Sequence, residues 1–117
     1  MRFLVIYRED TRMSAAIPPP VLLELVYATA SWIEEIKKSG KATDAGFTST
    51  EHGGFAIFDV ASGAELADLT DSCPARPFCS VETMGLMTPK EAEPVLAKAK
   101  ARAAEAMQMM AKFAGPR

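Results

Sequence analysis

The sequence predicts an α+β domain of ferredoxin-like βαββαβ order, with a four-stranded antiparallel sheet and an extra C-terminal helix. Two observations carry this. Residues 55–60 read as strand, 62–72 as helix and 77–86 as strand. Upstream the same order occurs, with a strand at 2–8, a helix at 21–39 and another strand after it. Two β-α-β halves in one short chain make the split βαβ arrangement.

The elements follow in order. Phe3-Leu4-Val5-Ile6-Tyr7 is apolar on both faces, as suits a central strand covered on two sides. Residues 9–16 are polar and read as irregular. Pro18-Pro19-Pro20 stops what precedes it, and Pro20 fits the first turn of the next helix. That helix is expected over 20–39, with Gly40 as its C′ residue. Leu22, Leu25, Thr29, Trp32 and Ile36 recur at helical spacing with Val26 and Ile33 beside them, and form the expected core stripe. Tyr27 falls on the outer face near Leu23 and Ala30 and marks a second packing surface.

Residues 41–49 are the weakest strand, with Gly46 and few β-branched apolar residues; residues 50–54 turn into the next one. Pro74 closes the helix after it. Thr88-Pro89-Lys90-Glu91 is a capping box opening a last helix, which Pro94 either kinks or restarts. Its stripe of Leu96, Ala99, Ala103, Ala106, Met110 and Phe113 permits close approach to another helix, either the first long helix or a partner subunit.

At 117 residues the chain is expected to be one domain, with a core over 1–87 and a helical extension over 88–117. A formal net charge of −2 gives no reason to expect nucleic acid or anionic membrane as a partner. No secretory leader or membrane-length apolar run is visible, so the cytoplasm is the expected location. Cys73 and Cys79 are too few for a disulfide framework and lack the spacing of a zinc pair. No metal or organic cofactor is expected. Apolar residues on both faces of the strands predict a homodimer or larger homo-oligomer built by sheet-to-sheet packing.

Phe58-Asp59-Val60, Ser62 with the helix through Leu66, Pro77-Phe78, Val81-Glu82 and Gly85-Leu86 resemble the muconolactone isomerase-like group of the dimeric α+β barrel superfamily. The helix ending at Gly40 fits the same layout. The resemblance implies paired sheets and cofactor-free proton transfer on unsaturated lactones. It also implies a carboxylate on the first long helix, where the comparable inward positions of this chain are Thr29 and Ser31.

Candidate site residues follow. His52, the sole histidine, sits beside Gly53-Gly54 and can shuttle a proton near neutral pH; an idle turn histidine is the plain alternative. Glu82 lies inside a strand, where a covered face would raise its pKa and suit general acid/base chemistry; a barrel-mouth or interface salt bridge is the plain alternative. Tyr7, Trp32, Phe55, Phe58 and Phe78 either line an apolar pocket for a cyclic ligand or are core. The expected function is a small cofactor-independent enzyme, isomerase-like or oxygenase-like, acting by proton transfer on a lactone, quinol or polyketide-like metabolite. The alternative is a non-catalytic ligand-binding or assembly protein of the same fold.

Overall fold

In the computed structural model, residues 1–114 are described. Two compact units divide the chain, Met1–Leu86 and Met87–Arg117. The first unit runs β1 (Arg2–Glu9), α1 (Thr11–Ser14), α2 (Pro19–Lys38), β2 (Ala42–Phe47), β3 (Gly53–Asp59), α3 (Gly63–Asp71) and β4 (Cys79–Leu86). A short 3-10 turn at Arg76–Phe78 leads into β4. The sheet order is β2-β3-β1-β4, and every neighbouring pair is antiparallel. This is the predicted ferredoxin-like βαββαβ sheet.

Register decides which side chains share a face. Val5 lies opposite Ala56 and Thr83, and Tyr7 opposite Gly54 and Val81. Because strand side chains alternate, Phe3, Val5, Tyr7 and Glu9 point to one face. Trp32, Ile33 and Ile36 of α2 and Leu66 and Leu69 of α3 pack there, around the fully buried Val5, Ala56 and Phe58. The ring of Trp32 bridges Tyr7 and Phe58 in edge contacts, with centroids 6.0 and 6.4 Å apart. The other face carries Leu4, Ile6, Phe55, Ile57, Met84 and Leu86, and none of these joins the helix-packed core.

The α2 stripe departs from expectation at one end. Trp32, Ile33 and Ile36 are buried, but Leu22 and Leu25 are half-buried and Val26 is exposed. The N-terminal turns of α2 face a cavity there rather than packed side chains.

Two short devices were not anticipated. Residues expected to be irregular contain α1, capped by the Asp10 carboxylate accepting from the Arg12 N–H. Ahead of α3, Ser62 Oγ accepts from the Glu65 N–H, and Glu65 reaches back to the Ala61 N–H and to Lys41. The bond from Arg12 holds Asp10 below the usual carboxylate range, and the Ala61 N–H does the same for Glu65. Folded pKa values below the unfolded ones mean stability that is present above the ordinary carboxylate range and lost as pH falls through it. The midpoint of urea denaturation should therefore drop as pH falls below about 4, and Glu65→Gln should weaken that dependence.

Gly40 has φ +77°, the left-handed value expected of a C′ residue after α2. The second unit contains the helix α4 (Pro89–Ala114). Its capping box is formed both ways: the Glu91 N–H donates to Thr88 Oγ1, and the Thr88 N–H donates to Glu91 Oε1, each at 3.1 Å. The helix continues through Pro94, which lies near its start.

Candidate active site

A cavity of about 710 Å³ opens between the N-terminal half of α2, the β2–β3 hairpin and the ends of β1 and β4. Its apolar lining comes from Leu22, Leu25, Val26 and Ile33 of α2, together with Phe47 and Phe78. Tyr7, Trp32, Thr29, Cys73 and Cys79 complete the inner end. Its polar groups gather at the hairpin, where Glu9, Ser14, Glu51 and His52 all line it.

The donors of the inner end are committed to the protein. Tyr7 OH donates to the Thr70 carbonyl at 2.9 Å, and Trp32 Nε1 to Ser72 Oγ at 2.9 Å. Thr29 Oγ1 donates to the Leu25 carbonyl at 2.8 Å. Burial pushes the Tyr7 phenol far above its ordinary range and raises both cysteine thiols, so these groups stay protonated.

The hairpin end is built differently. β1 runs one residue past Arg8, so Glu9 pairs with Cys79 and its side chain follows Tyr7 onto the helix face. Ser14, brought back by α1 and itself buried, donates its hydroxyl to Glu9 Oε1 at 2.7 Å. His52 Nδ1 stands 3.6 Å from the other oxygen, Oε2, with an imidazole 92% exposed. The Glu9 N–H donates to the His52 carbonyl at 2.8 Å, which ties the hairpin to the end of β1. Gly53 makes this approach possible, because a Cβ there would run into the Tyr7 carbonyl. Gly53→Ala should separate the hairpin from β1. Amide exchange at Glu9 should then quicken and the melting temperature should fall.

The sequence candidates sort clearly. His52, Tyr7, Trp32 and Phe78 line the cavity; Phe55 borders it, but its register with Ile6 puts its side chain on the other face of the sheet. Phe58 does not: it is fully buried in the core beneath Trp32. Glu82 lies opposite Ile6, on the face away from Tyr7 and Glu9. There it accepts from Arg8 at 2.7 Å with about half its side chain exposed, which is the salt-bridge alternative. His52 and Glu82 therefore do not share the cavity. Of the inward positions on the first long helix, Thr29 lines the cavity and Ser31 is exposed. Glu9 and Ser14 were missed, because both fell in residues read as an irregular connection. Among the described residues, no group of three or more His, Cys, Asp or Glu side chains is placed to hold a metal ion.

Solved structures share this architecture. Muconolactone isomerase superposes with a TM-score of 0.64 at 20% identity, over 76% of this chain and 92% of that one. A second match is 5-chloro-2-hydroxyhydroquinone dehydrochlorinase from Burkholderia phenoliruptrix, in complex with 2,5-dihydroxybenzoquinone. Its TM-score is 0.56 at 22% identity, over 77% of this chain and 97% of that one. The chain has the muconolactone isomerase-like fold. No protein-family model matches it, and no curated protein does. To the muconolactone isomerase-like fold this chain adds α4.

Proposed function

We propose that the protein is a cofactor-independent enzyme that moves a proton on a small cyclic metabolite (a lactone, quinol or polyketide-like phenol) bound in the α2 cavity. The observation that carries this reading is the pairing of an apolar cavity with one carboxylate, Glu9, oriented at its polar end. The two structural neighbours act on small molecules of this kind by their names, and the fold alone admits other chemistry.

Glu9 takes the role that the sequence reading gave to Glu82. Ser14 holds Oε1, leaving Oε2 to face His52 and the cavity. As general base, Glu9 removes a proton from a carbon beside a carbonyl or from a phenolic hydroxyl. His52, open to water, exchanges that proton with solvent or with a second position on the ligand. The apolar wall keeps water from the ring.

The test is turnover of a panel of small lactones, quinols and polyketide-like phenols, followed by absorbance. Wild type should convert at least one, and EDTA should leave the rate unchanged. His52→Ala should lower kcat by a factor on the order of 10² if the imidazole carries the proton. If a compound binds tightly and none is converted, the ligand-binding reading replaces the enzyme.

The proposal includes a homodimer. Leu4, Ile6, Phe55, Ile57, Met84 and Leu86 give the second sheet face an apolar character larger than isolated surface residues produce. Sedimentation at low micromolar concentration should show a dimer, and Ile6→Asp should shift it to monomer. A wild-type monomer at that concentration rules the sheet-to-sheet dimer out.

A further inference from the structure

We infer that the cavity selects uncharged ligands that are polar at one end only, and that it discriminates against carboxylate-bearing analogues of the same ring. This inference deepens the reading of the cavity as the ligand site and rests on it.

The charge of the lining is the first argument. Among the described residues no lysine or arginine lines the cavity, whereas Glu9 and Glu51 do. The nearby arginines already have carboxylate partners. Arg8 is paired with Glu82 at 2.7 Å and with Glu51 at 3.3 Å. Arg76 pairs with Asp71 at 3.3 Å and donates to the Cys79 carbonyl at 3.2 Å. Arg12 pairs with Asp10 at 3.4 Å. His52 is the one lining side chain able to become positive, and Glu9 already faces it. A ligand carboxylate entering this space would leave water, meet the Glu9 carboxylate, and find no lysine or arginine in the lining and only a histidine that Glu9 already faces.

The distribution of donors is the second argument. At the inner end the Tyr7, Trp32 and Thr29 donors are all spent on protein acceptors. A ligand hydroxyl or carbonyl placed there would lose its water and meet no donor stronger than the cysteine thiols. At the hairpin end, Glu9 and His52 can exchange hydrogen bonds with a ligand. The ligand therefore goes in with its apolar edge toward Trp32 and its oxygen substituents toward Glu9. A monocyclic quinol or neutral lactone with an alkyl or second-ring substituent has that shape and polarity.

The test is equilibrium binding read by the fluorescence of Trp32, the sole tryptophan, which lines the cavity. The probes are matched pairs, each a neutral phenol or lactone and the same ring carrying a carboxylate. Thr29→Phe, which fills the cavity, serves as the control for site. The neutral member should bind at least tenfold more tightly, and Val26→Arg at the cavity edge should narrow the gap by raising the affinity of the carboxylate. Equal or tighter binding of the carboxylates, abolished by Thr29→Phe, overturns the inference while leaving the cavity as the ligand site. Binding that Thr29→Phe does not affect overturns the cavity reading and the inference with it.

Discussion

Glu9→Gln should lower kcat by a factor on the order of 10² to 10⁴, the usual range for losing a general base, while ligand affinity changes little. The amide keeps the shape of the carboxylate and can still accept from Ser14, so α1 and the hairpin should hold their places. What is lost is the oxygen that takes the proton. A fall in kcat with KM nearly constant separates a chemical role from a binding one. Glu82→Gln serves as the comparison. Its carboxylate pairs with Arg8 on the other face of the sheet, away from the cavity, so its loss should leave kcat within about twofold. Equal losses for the two variants would move the chemistry away from the cavity.

Phe58→Ala should cost about 3–5 kcal/mol of stability. Phe58 is fully buried, with Trp32 against its ring and Val5 and Ala56 beside it, and truncation leaves a void that those neighbours cannot fill. Urea denaturation measures this directly. A domain of this size has only about 5–15 kcal/mol in total, so the variant should lose a large share of its stability. If Phe58 instead lined the cavity, the substitution would enlarge it, raise KM and leave the denaturation midpoint near that of wild type.

These two residues show what the sequence made legible. Alternation and turn residues were enough to place every strand of the sheet and both long helices, because burial acts on periods of two and 3.6. They did not say which face of a strand met the helices. Glu82 and Glu9 are both strand carboxylates, and only the register against Ile6 and Cys79 shows that they lie on opposite faces. Phe58 and Phe78 looked alike as aromatic candidates, yet one is sealed under Trp32 and the other lines the cavity.

The weak strand had a physical reason. Gly46 adds nothing to the apolar pattern of β2, but the Phe55 ring of β3 lies 3.2 Å from where its Cβ would stand. Cross-strand packing supplies what local propensity lacks. α1 was missed because four residues give no periodic signal, and its Asp10 cap was the only cue. Glu9 was hidden for a related reason. β1 reaches it through pairing with β4, a contact between residues 70 positions apart that no local pattern reports.

The central claim is that ligand and chemistry occupy the cavity between α2 and the hairpin, with Glu9 at its polar end. The most direct measurement is Trp32 fluorescence titration of the best neutral ligand into wild type and Thr29→Phe, with melting curves showing both to be folded. The account predicts saturable binding to wild type and affinity lowered by at least about tenfold in Thr29→Phe, because the new ring takes the place of the ligand. Unchanged affinity in a folded Thr29→Phe protein would contradict it.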